Sequence, residues 1–454
     1  MARGGAVSVR PTAEPTAELR RSFGLRTAAA TAGLLSTFLL TVVGVRTLDP
    51  GDAAVLLSVL AALSIGPLLG RLGLGPNLIR LLPTEPDPTR RRDIAGAHLR
   101  ATGLLSVLSA PVVAVVATVG SAGRGDTYVP VLLLTAALIV LESLRLTLSD
   151  VFAALGRVHW SVATTHHVRS TVALPLVGTM VLVSARPTLV GLLAVYTAVA
   201  AAQLGVALAV AHRDVALLGL RARPMLVAVI GSGTLLFTLD LAAFLVGQGT
   251  VWLASAVFAP LAAAQYSTAA VLAMQVTVLE SLAALAVTPA AARLWAADRR
   301  DDVVRMLSAV ATLATVVTAA VVVLLWVAGG PALRFAYGPD MAGAHLLLAV
   351  LAAAGVAKTA FGVNITVLII SGHIRRAAGT ALGVLSVAIP AAVLAAVLAG
   401  PVGLAIVSAT ATMTLGLAQW IAARAVVPHP PRADWRLAQA WRALAVPGGP
   451  VVVP

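Results

Sequence analysis

The chain has 454 residues, of which 59% are hydrophobic and 11% charged, against about 25% charged in an ordinary soluble domain. Mean hydropathy is +0.97, too apolar for a soluble fold, and the long unbroken apolar runs exclude an outer-membrane barrel, whose strands alternate apolar and polar residues. Absence of cysteine excludes thiol chemistry and disulfides, and a net charge of +14 raises nucleic acid as a partner until the positions of the cations are considered.

Residues 1–25 are polar, carry Pro11 and Pro15, and read as a disordered cytoplasmic N-terminal arm. Apolar runs between charged or Pro/Gly breaks then predict twelve membrane-spanning helices. Each such helix needs about 20 apolar residues. The first six are 26–46, 53–70, 99–119, 128–150, 168–184 and 188–211, and they make an N-terminal bundle over 26–211. Span 26–46 is longer than a signal-peptide core, and Arg46-Thr47-Leu48-Asp49 is a poor cleavage site. A basic cytoplasmic linker, 212–224, follows. The second six are 226–258, 265–290, 303–327, 342–370, 377–399 and 401–424, a C-terminal bundle over 225–425. In the first of these, Gly231, Gly233, Gly247 and Gly249 predict a bend within one long span. Residues 426–454 form a Pro-rich cytoplasmic tail with Trp435 and Trp441, either frayed or lying on the membrane surface.

The cations are 31 Arg and one Lys, Lys358. With the N-terminus inside, 26 of the 32 flank the inner ends of the spans. Arg46, Arg124, Arg186 and Arg334 fall outside, and Arg145 and Lys358 lie within spans. Such asymmetry sets orientation, and one extra span would invert every later loop. The positive charge therefore reports topology, and no nucleic-acid partner is expected. The expectation is a multi-pass protein of a bacterial cytoplasmic (inner) membrane with both termini inside.

The halves resemble each other. Asp49-Pro50-Gly51-Asp52 and Ala259-Pro260-Leu261-Ala262 follow the first and seventh spans at an offset of 210. Pro76-Asn77-Leu78-Ile79-Arg80 and Pro289-Ala290-Ala291-Ala292-Arg293 end the second and eighth at an offset of 213. Arg91-Arg92-Asp93 and Arg299-Arg300-Asp301 precede the third and ninth. Six spans restore direction, so the copies are parallel repeats about an axis along the membrane normal. That architecture favours a path between the halves, opened alternately to each side.

Ionisable residues inside spans are costly and usually face a cavity. Glu142 and Arg145 are three apart on one helix face: either a self-neutralising pair, or a cavity cation with a tuning carboxylate. Lys358 has no acidic neighbour in its own span, and Ala354, Gly355 and Gly362 on its face allow close approach. It is either a partner for an anionic headgroup, with Arg145, or the partner of Asp240 or Glu280 across the bundle. Arg46 at the outer mouth and Arg26 at the inner end either assist substrate transfer or anchor the interface. Glu280 shares a small, polar stripe with Tyr266, Ala273, Thr277, Ser281, Ala284 and Thr288, suited to a polar path or to close helix packing. Asp240, Glu280 and Glu142 are the candidates for coupling to H+ or Na+. His166-His167 beside Arg169 reads as a solvated helix end, or as a metal site for which no further ligands are evident. No P-loop is present, so ATP hydrolysis is unsupported, and no cofactor is expected.

Val45-Arg46-Thr47-Leu48-Asp49-Pro50-Gly51-Asp52-Ala53 and Gly73-Leu74-Gly75-Pro76-Asn77-Leu78-Ile79-Arg80 resemble the start of the oligosaccharide flippases of bacterial surface polysaccharide pathways, an O-antigen flippase-like family. Ala264-Gln265-Tyr266-Ser267-Thr268-Ala269, Pro289 with Arg293, Tyr337-Gly338, and Asn364 with Ser371-Gly372-His373 agree with that resemblance. It covers about residues 20–425 and extends to the superfamily that includes multidrug extrusion (MATE) exporters and the lipid II flippase. The resemblance implies an all-α MATE-like fold, two six-helix bundles around a central cavity. It implies movement of an undecaprenyl-pyrophosphate-linked oligosaccharide to the outer leaflet; Asn364, and Tyr266, Thr277 and Ser281 from the stripe of Glu280, are the candidate polar cavity residues. Membrane lipids, polysaccharide polymerase and glycosyltransferases are the partners that follow from it. A drug/cation antiporter of the same superfamily is the nearest alternative, but 4% aromatics and two intramembrane cations favour an anionic cargo. A membrane polymerase or ligase is disfavoured by the short outside loops around 120–127 and 329–341.

Overall fold

The computed structural model describes residues 14–122, 125–184, 187–212, 214–216 and 237–434, with the backbone alone described at 14–27, 76–77, 80, 278–279, 281–286 and 289. Among the described residues the chain is helical and has no strand. The helices of the N-terminal half are α1 (Glu14–Thr47), α2 (Pro50–Leu69), α3 (Leu74–Leu81), α4 (Pro88–Thr118), α5 (Tyr128–Ala154), α6 (Val158–Ala163), α7 (His166–Val183) and α8 (Leu189–Ala211). Those of the C-terminal half are α9 (Phe237–Gly247), α10 (Gly249–Val257), α11 (Pro260–Val276), α12 (Val278–Ala296), α13 (Arg300–Tyr337), α14 (His345–Phe361), α15 (Asn364–Ile370) and α16 (Ile374–Ala423).

Among the described residues, each of the twelve expected spans falls on helix. Eight helices among the described residues are long and apolar enough to cross a membrane by length and composition, nine with the bent pair α9–α10. The remaining spans are less obvious for local reasons. A straight 50-residue helix would run about 75 Å, more than twice the ~30 Å hydrocarbon core. The segment Ile374–Ala423 is broken at Gly400, whose φ of 64° and ψ of −155° suit glycine alone, and Pro401 opens the second half. Span 265–290 is divided into α11 and α12, and α7 starts with the polar run His166-His167-Val168-Arg169. The chain is a multi-pass membrane protein.

Local sequence explains the helix starts. The Asp49 carboxylate accepts from the N–H groups of Gly51 and Asp52 at 3.0 Å, capping α2. Pro50 fills the first turn, where a missing N–H costs nothing. In the second half Pro260 opens α11 in the same way. Asp87 caps α4 through Thr89 N–H at 2.9 Å, and Thr188 caps α8 through Gly191 N–H at 3.1 Å.

Three expectations need correction. The N-terminal arm is helical from Glu14 onward, because Pro15 is tolerated in the first helical turn and the following residues are good helix formers. Spans 265–290 and 342–370 are not continuous: the first breaks at Thr277 and the second at Gly362–Val363. The tail is docked as far as Asp434, as described below. The expected bend in the seventh span is a 42° break at Gln248, between Gly247 and Gly249. The arm up to residue 13, most of the linker 212–224, residues 226–236, Arg124, Arg186 and the tail beyond Asp434 lie outside the described residues.

Call the end where α1, α4 and α13 begin the basic end, and the other the far end. At the far end both halves share one core. Leu40, Val45, Leu57 and Leu192 from the first half pack there with Tyr266, Tyr337, Leu347 and Leu404 from the second. Nearer the basic end the cores separate. Leu78, Leu99, Phe152 and Leu204 form one within the first half, and Leu307, Val310 and Val367 form another within the second. Between them α2 still touches α9, through Ile65 and Phe244. Among the described residues, apolar burial therefore joins the two halves at the far end and leaves them separately packed at the basic end.

Candidate functional site

The breaks in the second half lie side by side. Thr277 ends α11 with φ −94° and ψ 0°, and Gly362 caps α14. Lys358 stands in the last turn of α14 and its Nζ donates to Thr277 Oγ1 at 3.3 Å. Glu280, in the first turn of α12, lies against Gly362: a Cβ at Gly362 would collide with Glu280 Oε1 and with the Lys358 carbonyl. Lys358 and Glu280 also interact electrostatically. Gly355 brings Thr277 and Thr318 of α13 against α14. Lys358 is near the middle of the 345–370 segment and Glu280 near the middle of 260–296, so these groups meet deep in the membrane.

A helix break frees backbone groups that must find partners. The carbonyl of Lys358 accepts from Gly362 N–H at 2.6 Å. The carbonyl of Phe361 accepts from Asn364 Nδ2 at 2.6 Å, and the same amide donates to the carbonyl of Pro431 at 2.9 Å. The carbonyl of Ala360 accepts from Ala433 N–H at 3.2 Å. Asp434 N–H donates to Thr312 Oγ1 on α13 at 2.9 Å. Val427 is buried against Leu307, Val310 and Val367. The segment 427–434 is thus a strap over the basic side of the α14–α15 break, held where backbone carbonyls would otherwise be left open.

In the first half, Glu142 forms ion pairs with both Arg145 on its own helix and Arg169 on α7. All three side chains are at least nine-tenths buried, and Arg145 is fully so. Arg169 also lies over the ring of Tyr196, 5.6 Å from its centroid, a cation–π arrangement. Nε and Nη1 of Arg145 are buried without a hydrogen-bond acceptor. Next to this group, Arg71 in the turn after α2 pairs with Asp150. Burial, and secondarily the charge of Arg145, lowers the Arg71 guanidinium to about 10. The rings of His166 and His167 lie 3.9 Å apart with their planes tilted by 41°, and no group of metal-ligating residues is found among the described residues.

The expected site residues therefore fall into separate places. Lys358, Glu280 and Thr277 come together at the twin break. Glu142 and Arg145 pair in the first half, with Arg145 enclosed and no face open to a cavity. Tyr266 is fully buried against Phe258 and beside Thr250 and Ser408, so it packs the core rather than lining an opening. Asn364 is also fully buried, occupied by the strap. Asp240 is exposed on α9, one turn before Phe244, which packs against Ile65 of α2. Arg46 donates to the Phe335 carbonyl at 2.6 Å, bridging the halves at the far end. The side chains of Arg26 and Ser281 lie outside the described set. Sequence reasoning missed Arg169, Tyr196 and the strap. Arg169 stands on α7 and Glu142 on α5, so no spacing along one helix could reveal the pair.

Contacts across the boundary cluster at the far end. Thr41 Oγ1 and Tyr337 Oη are 3.2 Å apart, and Phe38 meets the Tyr337 ring edge-on at 6.1 Å. Ser58 and Ser255 hydroxyls meet at 2.6 Å, and Trp252 Nε1 donates to the Ser58 carbonyl at 3.1 Å. The far side is closed.

No protein-family model matches the chain, and no curated protein does either. Solved structures do. A lipid II flippase MurJ in an "inward closed conformation" superposes with a TM-score of 0.66 at 10% identity, over 92% of this chain and 89% of that one. A multidrug-resistance MATE transporter of the MOP superfamily, described as inward-facing, gives 0.68 at 13% identity, over 89% and 98%. The Vibrio cholerae MATE transporter VcmN, as a point mutant, gives 0.60 at 15% identity, over 91% and 98%. The fold is the twelve-helix, two-bundle fold of these proteins. At such identities the likeness is one of architecture.

Proposed function

We propose that this protein is a flippase that carries a polyprenyl-pyrophosphate-linked oligosaccharide from the cytoplasmic to the outer leaflet, by alternating access, for cell-surface polysaccharide synthesis. The observation that carries the reading is the placement of Lys358. A half-buried ammonium deep in the bilayer is costly, and this one sits where two interrupted helices meet, as binding sites do in transporters built from repeats. A pyrophosphate needs cationic partners where water is scarce, and charge-assisted contacts are the strong kind. An organic cation would meet a like charge there.

The far-end closure and the separate cores at the basic end fit a state open to the cytoplasm. The basic end is taken as cytoplasmic because Arg residues concentrate there, and on this reading both termini lie on the cytoplasmic side of the inner membrane. An inside-negative potential then favours outward movement of the headgroup by about 2.3 kcal/mol per charge per 100 mV. Lys358 serves to lower the desolvation barrier rather than to set direction. Arg145, enclosed by Glu142, is assigned to holding the first half together, and Arg46 to far-end closure. Coupling to H+ or Na+ rests on Asp240 and Glu280, and no cofactor takes part. Glycosyltransferases supply the cargo and a polymerase consumes it.

The test is a proteoliposome assay that follows a fluorescent lipid-linked oligosaccharide between leaflets. The wild-type protein should accelerate equilibration and Lys358→Met should slow it about tenfold or more. Equal rates for the two proteins would refute the role of Lys358. Active export of organic cations with no lipid movement would place the protein among drug antiporters instead.

A further inference from the structure

We infer that Glu280 is a built-in stand-in for the anionic headgroup, and that it and the cargo exclude each other at Lys358. The inference rests on the flippase reading and names the step that loads the site. An ammonium has three donors, and the hydrogen bond formed by Lys358 is the long one to Thr277 Oγ1 at 3.3 Å. Glu280 is 7% exposed, and among the described residues its Oε2 has no hydrogen-bond partner. Its other oxygen is pressed against Gly362, in a space that exists only because that residue lacks a side chain. The hydroxyls of Thr315 and Thr318 are buried nearby on α13 and also lack partners. The site thus holds a cation, a carboxylate and spare polar groups, with fewer hydrogen bonds than its chemistry can make.

A fully satisfied structural ion pair would look different. Buried pairs offset desolvation through close geometry and further hydrogen bonds. Here each charge balances the other at a distance and keeps capacity in reserve. The empty site therefore avoids a lone charge in the membrane. An arriving pyrophosphate offers several oxygens to the three donors of Lys358 and to the hydroxyls, and outcompetes a single retracted carboxylate. Glu280 then loses its counter-ion. When the cargo leaves, Glu280 recovers Lys358, which prevents the headgroup from rebinding as tightly as it would to a bare cation.

Binding of geranyl pyrophosphate and of inorganic pyrophosphate to the purified full-length protein tests this, by calorimetry in detergent. Glu280→Gln should bind either probe about tenfold tighter than wild type, and Lys358→Met should remove binding in both backgrounds. Glu280→Asp, which shortens the reach but keeps the charge, should fall between wild type and the glutamine variant and guards against misfolding of the latter. Unchanged or weaker binding by both Glu280 variants, with binding still dependent on Lys358, overturns the stand-in and leaves the flippase reading intact. Binding that survives Lys358→Met overturns the headgroup site itself.

Discussion

The hydroxyls of Ser58 on α2 and Ser255 on α10 meet at 2.6 Å across the boundary between the two halves. Gly120 packs against the same Ser255, so the contact is enclosed as well as bonded. A natural absence of cysteine makes this pair a clean lever. Replacing both serines with cysteine should allow a disulfide, which needs sulfur atoms about 2.05 Å apart. Oxidation should lock the far side shut and stop flipping, and a reducing agent should restore it. Crosslinked protein that still moves lipid would show that the far side need not open.

Among the described residues, Glu142 is the carboxylate shared by Arg145 and Arg169. Its removal strands two buried guanidinium groups, and breaking such a pair costs about 3–5 kcal/mol. Removal of Arg169 leaves a neutral Glu142–Arg145 pair, and a lost charged hydrogen bond costs roughly 1.5–3 kcal/mol. Glu142→Gln should therefore lower thermal stability in detergent more than Arg169→Gln does. The reverse order would mean that Glu142 is not the group holding these charges together.

How much of this was readable beforehand depended on whether the signal was local. Twelve spans follow from apolar runs and from the placement of arginine, both properties of consecutive residues. The Glu142–Arg145 pair follows from i,i+3 spacing. Arg169 was not readable, because its partner is on another helix and its own segment, with two histidines, resembles a solvated end. The breaks at Thr277 and Gly362 were hidden for a different reason: apolar composition continues through both. Gly362 was legible as a place of close approach, which Glu280 occupies, but not as the end of a helix. Composition also misled at the tail, where a Pro-rich stretch read as frayed or lying on the membrane surface, whereas Pro430 and Pro431 are buried.

The strap gives a further prediction. Asn364 Nδ2 holds the carbonyls of both Phe361 and Pro431. Asn364→Ala leaves both without that donor, and each lost hydrogen bond at a buried group costs about 1–3 kcal/mol. The Ala433 amide, now bonded to the Ala360 carbonyl, should exchange with deuterium at least tenfold faster in the variant, while amides in α5 keep their protection. Protection at Ala433 that persists would show that Pro430 and Pro431 seat the strap without Asn364.

Gly362 and Gly379 separate two reasons for a helical glycine. Gly362 has φ −63° and ψ −27°, a backbone any residue can adopt. Its lack of a side chain matters because Glu280 and the Lys358 carbonyl occupy the space where a Cβ would stand. Gly379, exposed on α16, would meet nothing within 4 Å. Gly379→Ala should leave transport unchanged and raise stability by about 0.5–1 kcal/mol, the helix-propensity gain. Gly362→Ala gains the same propensity, yet it must push Glu280 away from the break or open the α14 cap. It should lower both stability and flipping, measured by thermal unfolding and by the proteoliposome assay. If the two variants behave alike, Glu280 is not held against Gly362 and the twin break does not set its position.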